Sequence, residues 1–417
     1  MCSGVYGCTK EGYTRKGRIV FLRPKLYTAY MKLIFQFGSQ PELSRAELLS
    51  RFPNLAHGRV IATRFYSVNC DESPEWLLQQ LGGVVKILEV VEGISQKPDE
   101  MIVHLADHIL KQTIEKPKVV FGVSIINAPE FKGAGLAIKR SIQELSERSV
   151  RFVVSRDPEL SSATVQLEGL LAPRGVELTF LKDSSQIIVA QTAAIQAFDE
   201  WSFRDYGRPG RDAKRGMLPP KLAKIMINLA LGIAEPEKMA VYDPFCGSGT
   251  VLTEAALLGF GRVFGSDILK QAVDDSKESL VWAKKQFGLD DTEFDVFKHD
   301  ASQSAQHVKP ASIDFVASEP FLGRPLKKGE QLSPLEKQQL VSLYNKTIRA
   351  LDGVIKPGGR LVFSFPFQVA PRELLPLHEI IADTNFTVDP LLPEQKTILY
   401  MRADQRTGRQ IVRLVRK

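Results

Sequence analysis

Twelve residues, Met239-Ala-Val-Tyr-Asp-Pro-Phe-Cys-Gly-Ser-Gly-Thr250, constrain this chain more than any other stretch. An apolar run ends at Asp243, a turn holds Gly247 and Gly249, and Thr250-Val-Leu-Thr-Glu-Ala-Ala-Leu-Leu starts a helix, so the order is strand, glycine loop, helix. Glycines let a backbone come close to a ligand because no β-carbon intervenes, and the helix N-terminus behind them favours negative charge. The pattern is Gly-x-Gly without a third glycine, since position 252 is Leu. The full dinucleotide fingerprint is therefore not met, which disfavours a nicotinamide enzyme.

The chain downstream supplies neighbours for this loop. The next strand, Gly261-Arg-Val-Phe-Gly-Ser-Asp267, ends in a carboxylate 20 residues after Gly247. A doubly wound fold places at that distance an acid that accepts hydrogen bonds from ribose hydroxyls. An ionised carboxylate is an acceptor only, which suits a diol, although an Asp ending a strand is also a common helix cap. A third strand around Phe294–Phe297 leads to His299-Asp300-Ala301, where Asp300 also reads as a turn residue. A fourth, Ile313-Asp-Phe-Val-Ala, delivers Ser318-Glu-Pro-Phe-Leu-Gly-Arg-Pro to the carboxyl edge of the sheet. A long helix over Leu335–Ile355, a buried strand after Lys356-Pro-Gly-Gly, a helix near Glu373–Thr384 and a final hairpin of Ile398–Arg402 with Gln410–Val415 complete this half. The tail carries Arg402, Arg406, Arg409, Arg413, Arg416 and Lys417 against Asp404, a pattern for phosphate contact or for a charged edge.

The wording Asp-Pro-Phe-Cys-Gly-Ser-Gly-Thr resembles the first motif of class I S-adenosylmethionine-dependent methyltransferases, in the branch that methylates amines of RNA and DNA bases. Arg208-Pro-Gly-Arg and Gly216-Met-Leu-Pro-Pro-Lys-Leu-Ala resemble the segment just upstream of that motif in the tRNA guanosine-10 N2-methyltransferase family. The resemblance implies a Rossmann-like doubly wound sheet with an antiparallel C-terminal hairpin. It also implies S-adenosylmethionine as cofactor, held by Pro219, Asp243, Pro244, Phe245, Gly247, Ser248, Gly249, Thr250, Asp267, Ile268, Asp300 and Ala301. Amino-methylating relatives carry Asp-Pro-Pro-Tyr/Phe after the fourth strand, and here Glu319, Pro320 and Phe321 stand in the corresponding catalytic positions, with Leu322 where the aromatic would be. The chemistry explains the wording. An exocyclic amine is a poor nucleophile because its lone pair is delocalised into the base. A side-chain oxygen and a backbone carbonyl accept its N–H bonds and aim the lone pair at the methyl group, so positioning and electrostatics dominate. Glu is one methylene longer than Asp, so the acceptor survives with a changed reach.

The 417 residues exceed one typical core, and 44% hydrophobic with 25% charged residues is the balance of a globular protein. No apolar run approaches the roughly 18–20 residues that span a bilayer, so the expectation is a cytoplasmic protein with no membrane partner. Cys2, Cys8, Cys70 and Cys246 lie far apart and suggest neither a metal site nor disulfides. Of the net charge of +7, residues 1–30 hold six basic side chains against Glu11, which leaves only +2 for the remainder. That leader reads as an upstream extension of the reading frame or a basic flexible arm, disordered in either case.

From Lys32 short strands and helices alternate. The expected elements are a strand at Lys32–Phe37, a capping box at Ser44-Arg-Ala-Glu47, a strand over Val60–Val68, helices at Ser73–Leu81 and Glu100–Thr113, and a strand between them at Val84–Val91. This makes a first α+β unit, 31–115. A second, 116–200, has a strand from Lys118, a helix over Gly135–Glu147 and strands at Val150–Val154, Val165–Leu167, Val176–Leu181 and Ile187–Gln191. Its pattern and placement resemble a THUMP domain, an RNA-binding module found ahead of some methyltransferases. A basic, glycine-rich linker, 201–217, with little chance of regular structure, then leads to the methyltransferase domain, 218–417. Pro219-Pro220 opens a helix with an apolar stripe through Leu222, Ile225, Met226, Leu229 and Ala230.

The resemblance thus implies RNA, most directly tRNA, as partner and guanosine N2 as the methylated amine, and it leaves open a small activating protein partner such as some eukaryotic relatives use. A DNA adenine or cytosine amino-methyltransferase, and an RNA-binding relative with weakened catalysis, stay open as alternatives. Cytosine C5 methylation needs a nucleophilic thiol, and Cys246 in the cofactor loop reads as a small packing residue.

Overall fold

The computed structural model describes residues 14–15, 18–19, 31–114, 116–184, 186–210, 217–289, 291–327, 330–402 and 405–417. They fall into two compact units, one within Lys25–Phe203 and the other Arg204–Lys417, with Thr14–Arg15 and Arg18–Ile19 grouped with the latter. Of the leader, Thr14–Arg15 and Arg18–Ile19 pair antiparallel, and the expected disorder of the rest lies outside the described residues. Arg211 to Gly216 of the basic linker lie outside them as well.

The N-terminal unit is α+β and is built on one eight-stranded sheet. Its strands are β1 (Met31–Phe37), β2 (Arg59–Ala62), β3 (Phe65–Cys70), β4 (Val84–Val90), β5 (Lys118–Ile126), β6 (Ser149–Val153), β7 (Val176–Asp183) and β8 (Gln186–Ile195), in the order β2-β3-β1-β4-β8-β7-β5-β6. The stretches read as units 31–115 and 116–200 meet in this sheet, because β8 pairs with both β4 and β7. On it lie α1 (Pro41–Arg51), α2 (Pro74–Gln80), α3 (Pro98–Gln112) and α4 (Ala134–Leu145), with Met101, Leu105, Ile109, Ile138 and Ile142 buried against Phe121 and Phe180.

Several local elements differ from the expectation. Ser44 and Glu47 form no capping box, because α1 starts at Pro41; the Ser44 hydroxyl bonds back to the Gln40 carbonyl. The Glu47 carboxylate instead accepts the backbone N–H groups of Gly82 and Gly83, each at 2.8 Å. The run Val60–Val68 is two strands, β2 and β3, paired antiparallel across a turn. Val165–Leu167 lies not in a strand but in a short helix, α5 (Ser162–Leu167), whose first turn Ser161 caps by accepting the Thr164 N–H at 3.0 Å. The start of the linker is helical too, as α6 (Phe198–Tyr206).

In the C-terminal unit, α7 (Pro220–Leu231) precedes β9 (Ala240–Asp243), α8 (Thr250–Leu257), β10 (Arg262–Asp267), α9 (Lys270–Phe287), β11 (Glu293–Lys298) and β12 (Ile313–Ser318). Next come α10 (Pro334–Val354), β13 (Ile355–Gln368), β14 (Phe386–Val388), β15 (Thr397–Tyr400) and β16 (Thr407–Arg416). The sheet order is β11-β10-β9-β12-β13-β16-β14, and β15 pairs with β16 off that path. Strands β11 to β13 run parallel to their neighbours in the sheet centre, whereas β16 runs antiparallel between β13 and β14. The hairpin of β15 with β16 is present as expected, and β14 is an additional strand that the sequence reading left out. In place of the helix expected over Glu373–Thr384 there are a two-residue strand, Glu373–Leu374, and a four-residue helix, Leu377–Ile380, because Pro376 interrupts the run.

The helix α10 carries a capping box that the sequence reading missed: the Ser333 hydroxyl accepts the Glu336 N–H, and the Glu336 carboxylate accepts the Ser333 N–H. Its Tyr344, Ile348 and Leu351 pack on Leu361, Phe363 and Phe365 of β13, which fixes the sheet half that bears the fourth-strand loop. Among the described residues no helix is long and apolar enough to cross a membrane.

Candidate active site

In the central parallel strands every carboxyl end lies along one edge of the sheet. Asp243 ends β9, Asp267 ends β10, Asp300 follows β11, and Glu319 follows β12. The chain moves outward from β9 through β10 to β11 and then returns to place β12 on the other side of β9. A crevice opens at such a reversal, outside the strand ends, and all the candidate residues of this half except those preceding α7 converge there.

The loop after β9 is shaped by its glycines. Gly247 and Gly249 have φ of +51° and +83°, in the left-handed region that disfavours a side chain. A β-carbon on Gly249 would come within 3.1 Å of the Ser276 hydroxyl, whereas one on Gly247 would meet nothing within 4 Å, so the loop is tight on its α9 side and open over Gly247. The Gly247 N–H donates to Asp267 Oδ2 at 3.1 Å, and the Leu269 N–H donates to Oδ1 at 2.9 Å. Sequence-distant Gly247 and Asp267 are thereby brought together, with further acceptor capacity left on the carboxylate. Ile268, next along, is exposed.

Asp243 is buried. Ser318 Oγ donates to its Oδ1 at 2.5 Å, and the Phe245 N–H donates to the same oxygen at 3.1 Å. Burial pushes this carboxyl up to about 7, against the two hydrogen bonds, and the charges of Asp267 and Glu319 add to the rise. Asp243 and Ser318 thus tie the glycine loop to the fourth-strand loop. Pro244 is buried, Phe245 packs edge-on against Phe363, and Ser248 and Thr250 face an arginine from upstream. That residue is Arg208, whose Nη2 donates to Thr250 Oγ1 at 2.7 Å and to Ser248 Oγ at 3.4 Å. The upstream segment therefore reaches the loop through Arg208, while Pro219 stands at the N-cap of α7. In the sequence Arg208 stands out as the start of the family-like Arg208-Pro-Gly-Arg, but nothing local places its guanidinium on Thr250 and Ser248.

Asp300 caps a short 3-10 helix, Ala301–Gln306, accepting the Ser302 N–H and hydroxyl on Oδ1, both at 2.8 Å, and Ala301 is buried behind it. Cys246 is buried with its β-carbon against the position of Gly265, and burial pushes its thiol up, so it is a packing residue and no nucleophile.

At the fourth-strand loop Pro320 is buried and Phe321 is 59% exposed. The Tyr344 hydroxyl donates to the Phe321 carbonyl at 2.5 Å, and burial holds that phenol protonated by pushing its pKa well up. Glu319 is held by a partner that no motif announces. Arg409 of β16 embraces its carboxylate with two parallel bonds, Nε to Oε2 and Nη2 to Oε1, the second at 3.1 Å. Ser364 Oγ of β13 adds a bond to Oε2 at 3.3 Å. The side chains of Arg409 and Glu319 are 6% and 14% exposed, so this pair is shielded from water. Antiparallel β16 brings Arg409 to this edge, where it lies opposite Pro366. Two further arginines of the tail pair within the domain, Arg413 with Asp389 and Arg416 with Asp352, each at 2.7 Å. Strand β16 is also internal to the sheet, so neither of the expectations for the tail, phosphate contact or an edge charge, describes these three arginines.

Sheet order, antiparallel insertion and loop placement define a class I methyltransferase fold. In sequence, residues 208–388 match the family model UPF0020, described as an RMKL-like methyltransferase domain. The chain is 33% identical over 160 residues to a tRNA (guanine(10)-N2)-dimethyltransferase of Methanothermobacter thermautotrophicus, covering 38% of this chain and 42% of that protein. It is 29% identical over 192 residues to a protein of the same name from Methanocaldococcus jannaschii, covering 44% and 49%. The matches thus span less than half the length of these relatives. In structure it is similar to TrmN from Thermus thermophilus, with a TM-score of 0.55 at 16% identity over 93% of this chain and 100% of that one, a likeness of fold.

Proposed function

We propose that the chain is an S-adenosylmethionine-dependent methyltransferase acting on an exocyclic base amine of RNA, specifically guanosine N2 in tRNA. The observation that carries this reading is the convergence, at one edge of the sheet, of the open glycine loop with Asp267 and of the Glu319-Pro320-Phe321 loop, joined by the Ser318–Asp243 hydrogen bond. The residues fit the cofactor: Gly247 leaves open space where any side chain would intrude, and Asp267 keeps lone pairs for a ribose diol. When bound there, S-adenosylmethionine supplies an electrophilic methyl group. Gly247 and Gly249 give backbone access, Asp267 holds the ribose, and Asp300 with Ala301 faces the adenine. Glu319 and the backbone carbonyl of Pro320 accept the N–H bonds of the amine, which aims its lone pair, and exposed Phe321 offers a ring for the base to stack on. The amine proton is lost to solvent after transfer.

The names of the relatives support tRNA and guanine N2 as substrate. The N-terminal sheet domain serves in this reading as a THUMP-like RNA-binding module, and the protein works in the cytoplasm. One observation favours a second reading, an RNA-binding relative with weakened catalysis: the carboxylate that should accept the amine is already embraced by Arg409. Incubation with labelled S-adenosylmethionine and either total tRNA or duplex DNA separates the alternatives. Label in tRNA alone supports the proposal, label in DNA supports a DNA amino-methyltransferase, and label in neither overturns the enzyme reading.

A further inference from the structure

The pairing of Glu319 with Arg409 determines which atom remains for a substrate. An ionised carboxylate has about four acceptor sites, two on each oxygen. On Oε2 both are engaged, one by Arg409 Nε and one by the Ser364 hydroxyl. Among the described residues, Oε1 is bound by Arg409 Nη2 alone, at 3.1 Å, which leaves one acceptor site on that oxygen. The clamp therefore does not silence the carboxylate. It removes three of its directions and fixes the fourth.

We propose that Arg409 is a positioning residue for methyl transfer, orienting Glu319 so that Oε1 alone accepts one N–H of the target amine. This rests on the reading of the site as an amino-methyltransferase. A free glutamate has one more rotatable bond than the aspartate usual at this position, and its carboxylate would sample orientations in which the amine lone pair misses the methyl axis. A bidentate guanidinium is the group suited to remove that freedom, because its planar fork fixes both oxygens at once. The surroundings hold the arginine in turn. Arg409 is the paired neighbour of Pro366 in β13 and of Tyr400 in β15, with its guanidinium 5.9 Å from the Tyr400 ring centroid, and Gln405 Oε1 lies 3.5 Å from Nη1. A hairpin strand remote in sequence from every methyltransferase motif thus becomes part of the acceptor site. Glu in the acceptor position and Arg in the last strand are, on this account, one device, and the second amine N–H is left to the backbone carbonyl of Pro320.

The test is steady-state kinetics of methyl transfer to unmodified tRNA by the full chain and its Arg409→Lys and Arg409→Gln variants, with S-adenosylhomocysteine affinity and thermal unfolding measured alongside. Loss of aim costs on the order of 100-fold in rate. Arg409→Gln is expected to lose about that much in kcat while the KM for S-adenosylmethionine stays within about twofold, and Arg409→Lys, which keeps the charge without the fork, to recover only part of it. Methylguanidinium added to Arg409→Gln is expected to restore a fraction of kcat, a rescue that a merely structural role would not give. If Arg409→Gln fails to fold, Arg409→Lys decides alone, with kcat about tenfold down at unchanged cofactor KM as the expected result. An active wild type whose folded Arg409 variants keep full kcat overturns the positioning role alone. A wild type that labels no RNA overturns the amino-methyltransferase reading and this inference with it.

Discussion

Replacing Lys86 by Met should destabilise the N-terminal unit by about 3–5 kcal/mol, the cost of stranding a buried charge. The side chains of Lys86 and Glu177 are 2% and 0% exposed, and Lys86 Nζ lies 2.8 and 2.9 Å from the two Glu177 oxygens and 2.6 Å from the Leu160 carbonyl. Ser124 and Thr192 hydroxyls donate to Glu177 at 2.6 Å, one to each oxygen. These groups come from β4, β5, β7 and β8, so the pair sits where the two sequence halves of the sheet join. Without the ammonium, Glu177 keeps only two hydroxyl donors for a full charge, and the Leu160 carbonyl loses its donor. A second variant, Lys86→Met with Glu177→Leu, removes both charges and should recover at least half of the loss, short of all of it because the two hydroxyls are left without their acceptor. Hydrogen exchange of the amides in Val84–Val90 and Val176–Asp183 reads this unit within the full chain. The single variant should lower protection there by about two to four decades, since each decade corresponds to about 1.4 kcal/mol. A single-variant loss below about 1 kcal/mol, or a double variant as unstable as the single, would refute the reasoning.

Three further outcomes follow from the site. Asp267→Ala should weaken S-adenosylhomocysteine binding by calorimetry at least about tenfold, because it removes both the proposed ribose acceptor and the brace on the Gly247 N–H; unchanged affinity removes the ribose assignment. Asp243 titrates at about 7 in the folded chain, above the usual range of a carboxyl, so the folded state binds a proton that the unfolded state has released. Stability from this group is full below the ordinary carboxyl range and is lost as pH rises to the folded value of about 7; relative to wild type, Asp243→Asn should gain in denaturant stability between about pH 4 and pH 7 and change little above that, and a pH-independent difference would contradict it. Glu319→Gln keeps the side chain's size but replaces the anionic acceptor and one of the two oxygens that accept Arg409, so turnover should fall by about two orders of magnitude with cofactor affinity intact; full turnover would show that Glu319 does not hold the amine.

The parts of this molecule that the sequence revealed are those written in local order. Asp243 to Thr250 sets strand, loop and helix through glycine conformation, and the interval to Asp267 follows from one βαβ step, so both could be counted along the chain. What was hidden depended on partners far away. Ser44 and Glu47 have the spacing of a cap, yet Pro41 starts the helix earlier and the carboxylate is used by Gly82 and Gly83. Val165 has a strand former's side chain, but Ser161 supplies a helix cap. The arginines of the last strand read as a basic tail because their acids, Glu319, Asp389 and Asp352, are brought to them only by the antiparallel insertion of β16. Phe386–Val388 is a strand of three residues, too short for alternation to show.

Methylation of the exocyclic amine of a base in RNA is the chemistry proposed for this site. Mass spectrometry of the nucleosides recovered after tRNA has been incubated with the protein and isotopically labelled S-adenosylmethionine tests it most directly. The expected result is label in a guanosine methylated at N2. Label confined to a ring carbon, to a ribose oxygen, or absent from every nucleoside would contradict it.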